Sequence, residues 1–212
     1  MLLAFISNSM NEALPVASPE RLAQKILPGD LAMWFFIMAE LTVFAILFIA
    51  FAVTRQIYPE MFIAGQATLH PIAGVINTLA LILSSYMVVL AVNAITSDHQ
   101  HKARNFLVAA LAFACVYLVT KSWEYQLLLE QDYGISTNTF YMLYFFITFF
   151  HFMHVLLGMV ILTSIALKAH KKGYIRTEQG NPNISGFEAG ASYWHMVDLV
   201  WIILFPLIYI VH

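Results

Sequence analysis

Apolar residues fill the chain in five long blocks, near 31–53, 72–95, 106–128, 139–167 and 190–211, set apart by short polar segments. An α-helix needs roughly 20 apolar residues to cross the hydrocarbon core of a bilayer, and every block meets that length. The polar punctuation is Ser97-Asp98-His99-Gln100, then Glu130 to Asn138, then Lys168 to Gly186. His70-Pro71 opens the second block, where proline suits the first turn of a helix. The pattern predicts an all-α polytopic membrane protein, with a bundle of five transmembrane helices in residues 30–212 and an N-terminal arm over 1–29. Within that arm PERLAQKIL, residues 19–27, reads as a short amphipathic helix lying on the membrane surface. The opening MLLAFISNSM is short in apolar length and has no positive n-region, so no cleaved signal peptide is expected.

Composition agrees with a membrane protein. The chain is 61% hydrophobic and 10% charged, whereas soluble domains carry about 25% charged residues. A net charge of -2 leaves no basic patch for nucleic acid. The lone cysteine, Cys115, sits in an apolar run and excludes an intrachain disulfide.

The positive charges are unevenly placed. Arg21 and Lys25 precede the first span, Lys102 and Arg104 lie between the second and third, and Lys168, Lys171, Lys172 and Arg176 lie between the fourth and fifth. With five spans these regions share one side, and Arg55 alone faces the other. The positive-inside rule then predicts a cytoplasmic N-terminus and an outside C-terminus.

Several ionisable residues fall inside the spans, where they are costly unless partnered. Glu40 lies near the middle of the first span, and both a packed, hydrogen-bonded carboxyl and a proton-relay group remain open for it. His151 and His154 are three apart in the fourth span, and His195 and Asp198 three apart in the fifth, so each pair shares a helical face. Two histidines are not a metal site and no cysteine ligands accompany them, so a buried polar network of Glu40, His151, His154, His195 and Asp198 is expected. In the third span Lys121 and Glu124 are expected to form an ion pair at the outer end, with Lys121 snorkelling outward. Gly74, Asn77, Ser84 and Ser85 largely share a face of the second span and read as a packing seam.

Five motifs in order then resemble one family. EAGASYWHMVDLVWI from Glu188 is similar to the last helix of subunit III of haem-copper respiratory oxidases, and FFHFMHVLLG from Phe149 to its histidine-rich penultimate helix. WFFIMAEL, Trp34 to Leu41, resembles its helix with a membrane-embedded glutamate, here Glu40, and NTLALILSS from Asn77 and the Glu124-Tyr125 pair follow in register. The resemblance covers roughly residues 28–212. Larger members have seven helices and hold lipids in a cleft beside the first two; this chain lacks that pair, so lipid ligands are not carried over.

PGDLAMWFF from Pro28 is similar to the five-helix E-type accessory subunit of bacterial nitric oxide reductase. The resemblance therefore implies a non-catalytic accessory subunit in a bacterial inner membrane, expected to associate with nitric oxide reductase. Subunit III of an oxygen-reducing cytochrome c or quinol oxidase is the alternative. It also implies that the chain binds no cofactor and supports the assembly, stability or proton supply of a catalytic subunit. That partner carries haem, with copper or non-haem iron, and membrane lipids surround both. A proton-coupled transporter is a further alternative, but five helices do not divide into repeated halves and only Gly158 and Pro206 interrupt a span at depth.

Overall fold

The computed structural model describes residues 31–97, 99–170 and 185–211. The expected surface helix at 19–27 and the loop cations Lys171, Lys172 and Arg176 lie outside the described residues. Among the described residues six α-helices are formed: α1 (Leu31–Ile57), α2 (Pro59–Gln66), α3 (Pro71–Thr96), α4 (Gln100–Glu130), α5 (Thr139–His170) and α6 (Ser185–Tyr209). Five are long and apolar enough to cross a membrane, and the fold is all-α among the described residues. α4 begins six residues before its expected start, because the polar segment from Gln100 to Asn105 is helical, with Lys102 exposed and Arg104 half-buried.

The short helix α2 was not expected. Tyr58 leaves the helical region at φ -126 and ψ 58, and Pro59 cannot continue α1, so the chain turns and starts again. The apolar side of α2 is buried through Phe62, whose ring meets Phe51 of α1 at 5.0 Å and Phe140 of α5 at 5.3 Å. Gln66 at its end donates to the carbonyls of Ile208 and Val211, which satisfies acceptors at the end of α6. α4 stops in a Schellman turn: Tyr133 N–H donates to the Leu128 carbonyl and Asp132 N–H to Leu129, with Asp132 at φ 62.

α6 is the hub. α3, α5 and α1 all pack on it, while α4 packs on α3 and α5. Of the apolar window of α6, 61% is buried inside the bundle, against 17% for α1, which therefore presents most of its surface outward. Lipid tails are as apolar as leucine, so close packing rather than water exclusion must hold these helices. Small residues supply it. Ala103, Ala110 and Ala114 of α4 are fully buried against the α3 side, and Ser84 of α3 donates to the Ala110 carbonyl at 2.8 Å. Gly74 admits the Phe205 ring of α6, and Gly158 of α5 admits Trp194, where a methyl group would sit 2.7 Å from the indole.

Candidate functional site

Three polar centres stand out among the described residues of the bundle. The first joins α1 to α5. His154 Nε2 lies 3.0 Å from Glu40 Oε2, and its Nδ1 lies 2.8 Å from the Phe150 carbonyl. A carbonyl only accepts, so Nδ1 carries a hydrogen. The Nε2–Oε2 link then holds one further proton, carried either by the carboxyl group or by the imidazole. The Glu40 side chain is 22% exposed, so the pair reaches the edge of the bundle. Tyr193 of α6 backs it, with its hydroxyl donating to the His154 carbonyl at 3.4 Å and its ring stacked on Phe36.

The second centre joins α3 to α6. Ser85 Oγ and His195 Nδ1 are 2.6 Å apart, and Ser85 also faces the carboxyl of Asp198 one turn further along α6. One carboxyl oxygen of Asp198, Oδ1, is buried with no hydrogen-bond partner among the described residues. Sequence reasoning placed Ser85 in a packing seam. Its signal lay in the register of two motifs that meet across the helix pair, which one sequence does not display.

The third centre fastens α4, α5 and α6. Lys121 is fully buried and its ammonium donates to Glu124 Oε2 at 2.9 Å, Tyr144 Oη at 3.0 Å and Tyr209 Oη at 2.9 Å. All three ammonium hydrogens are used. Tyr209 in turn donates to both oxygens of Glu124, at 2.7 and 2.8 Å. The rings of Tyr125, Tyr144, Trp201 and Tyr209 lie 4.8 to 5.6 Å from the ammonium, an arrangement that favours a cation through the ring quadrupoles. The expected outward snorkelling of Lys121 is therefore corrected. Its partners lie on three helices inside the bundle, and a fully donated ammonium has no need of water. Tyr144 and Tyr209 are the residues that sequence reasoning missed; a tyrosine within a phenylalanine-rich span signals a hydroxyl that needs a partner.

The single network expected from Glu40, His151, His154, His195 and Asp198 is likewise corrected. Glu40 and His154 meet on the α1 side of α6, while His195 and Asp198 turn to α3. His151 lies between the centres, its ring against Phe44, Tyr117 and Trp201 at 6.2, 5.7 and 5.2 Å. Neither of its ring nitrogens has a hydrogen-bond partner among the described residues. Nor do any three histidine, cysteine, aspartate or glutamate side chains converge as a ligand set among those residues.

Comparison with known proteins places this arrangement. The family model described as cytochrome c oxidase subunit III matches residues 23–212. Cytochrome c oxidase subunit 3 of a Synechocystis strain is 30% identical over 82% of this chain and 72% of its own length. The haem-copper oxidase subunit I+III of Aeropyrum pernix is 29% identical over 85% of this chain but 22% of its own much longer one. Subunit 3 of the cytochrome bo(3) ubiquinol oxidase of Buchnera aphidicola is 25% identical over 84% of this chain and 84% of its own.

Proposed function

The chain belongs to the cytochrome c oxidase subunit III family, and from that membership we propose that it is the non-catalytic third subunit of an oxygen-reducing haem-copper terminal oxidase. The observation that carries this reading is the extent of the match, which takes in all five membrane spans and all three polar centres. Subunit III of these enzymes carries no redox cofactor, and haem and copper reside in the catalytic subunit. In the Aeropyrum relative the corresponding region shares one polypeptide with subunit I, which supports a position beside the catalytic subunit.

The relatives named above are oxidases, so the expected association with nitric oxide reductase has no support in them and the oxidase alternative takes its place. They include both a cytochrome c oxidase and a ubiquinol oxidase. The chain is multi-pass in the membrane. We place it in a bacterial inner membrane with its N-terminus cytoplasmic, on the distribution of lysine and arginine.

In this role the chain contributes packing surface and the Glu40–His154 proton-holding pair, while the redox reaction takes place in the partner. The test compares cells with and without the chain. Oxygen consumption by their membranes should be lower, or should decay faster over repeated turnovers, when the chain is missing, and nitric oxide consumption should not change. The opposite pattern would return the chain to a nitric oxide reductase.

A further inference from the structure

Among the described residues, the hub helix α6 is enclosed on three sides. α3 and α1 flank it, α5 lies between them on the far side, and α4 closes the arc between α3 and α5. The arc thus runs α3, α4, α5, α1 and leaves α6 open between α3 and α1. The residues of α6 left at least partly uncovered include a stripe that follows that opening at helical steps of three and four, Ser192, His195, Leu199, Ile202 and Pro206, with Ile203 beside it. Leu199 and Ile202 are 49% and 45% exposed, whereas Trp194, Val197 and Trp201 on the enclosed sides are buried. Towards the end of α6 a hollow of about 430 Å³ lies between Ala52 and Arg55 of α1, Pro59 and Ile63 of α2, and Leu207 and Val211.

A groove floored by leucine and isoleucine alone would be content with lipid tails. His195 is the exception. It is ten residues into the Gly186–Tyr209 span, about 14 Å of helical rise from its start and so near mid-bilayer depth. Ser85 holds its Nδ1, but its Nε2 has no hydrogen-bond partner among the described residues and is not enclosed. Acyl chains offer no hydrogen bond, and lipid headgroups lie at the surface, so a ring nitrogen left at this depth is costly. A side chain on another membrane helix meets the need, because interhelical hydrogen bonds and close packing are what join helices in lipid.

We propose that the groove between α1 and α3 seats a membrane helix of the catalytic partner subunit, and that this helix brings a hydrogen-bonding side chain to His195 Nε2. The proposal deepens the reading as an oxidase subunit and rests on it. The occupant is apolar where it meets Leu199 and Ile202, and at the level of His195 it carries a hydroxyl, amide or carboxyl group. Ser85 fixes the imidazole so that Nε2 points out of the chain's own packing, which makes Ser85 a positioning residue for the contact.

The test uses the full chain co-expressed with its partner. A photo-crosslinking amino acid is placed at Leu199 or Ile202 in the groove, and at Val108 or Val119 on the outward face of α4, where exposure is 57% and 69%. Groove positions should yield an adduct with the catalytic subunit, and the α4 positions should not. Adducts only with lipid or with a second copy from the groove, or an adduct with the catalytic subunit from α4 alone, would overturn the proposal and leave the subunit reading standing. Absence of any haem-bearing partner in the purified complex would instead overturn the reading beneath it. In parallel, His195→Leu should lower the partner retained through purification by about three- to twenty-fold, the effect of one interhelical hydrogen bond. His195→Gln, which can still bond on both sides, should recover much of that loss. Full retention by His195→Leu would refute the contact.

Discussion

Replacing Lys121 with methionine keeps the length of the side chain and removes its charge, which makes it the sharpest probe of how the bundle is fastened. The ammonium has no exposure and stands 2.9 Å from Glu124. At that distance and an effective dielectric near 20, the lost attraction is about 6 kcal/mol. Part of this is recovered because the carboxyl group can rearrange or take up a proton, and removal of one partner from a buried ion pair typically costs about 3–5 kcal/mol. Tyr144 also loses its donor, and Tyr209 loses one of its two links to α4, keeping its own bond to Glu124. The double variant Lys121→Met with Glu124→Gln leaves no uncompensated charge and should cost about 2 kcal/mol or less. Graded unfolding in mixed micelles of mild detergent and dodecyl sulfate, followed through the fluorescence of the buried Trp194 and Trp201, compares the three proteins. If Lys121→Met lies within about 1 kcal/mol of the parent, as exposed pairs do, the ammonium reaches water and the inward geometry is wrong.

Three further outcomes follow from the same packing. Gly158→Ala places a methyl group 2.7 Å from Trp194 and should lose about 1–3 kcal/mol in the same unfolding assay; an unchanged midpoint would mean the α5–α6 contact is looser than described. Ser85→Ala leaves His195 Nδ1 without its partner and should cost about 1–3 kcal/mol, with a null effect showing that the bond is not formed in the membrane. Glu40→Gln preserves shape but cannot hold the proton shared with His154. Assembly with the partner should persist while oxygen-reducing turnover declines or inactivates sooner; equal loss of assembly and activity would reduce Glu40 to a packing role.

The five spans were legible because length and apolarity alone define a membrane helix. The rotation of each span about its own axis was not. α5 is apolar on every side over most of its length, and such a helix carries no stripe to say which face is inward. His151 and His154 therefore read as one unit, yet one ring sits among Tyr117 and Trp201 while the other bonds Glu40. The same ambiguity led Lys121 to be read as outward, since a lysine near a span end usually seeks water and only its aromatic surroundings on other helices reveal the inward site. α2 escaped notice because eight residues are too few for a clear pattern, although Pro59 marked its start. Family resemblance narrowed the function to a haem-copper complex, and the relatives then moved it from nitric oxide reductase to an oxidase.

The central claim is that this chain works as the third subunit of an oxygen-reducing oxidase. Affinity purification of the chain in mild detergent, with mass spectrometry and an optical spectrum of the complex, tests it most directly. The account predicts a stoichiometric catalytic subunit with haem absorbance and oxygen-reducing activity. Recovery of the chain alone, or with a partner that reduces nitric oxide and not oxygen, would contradict it.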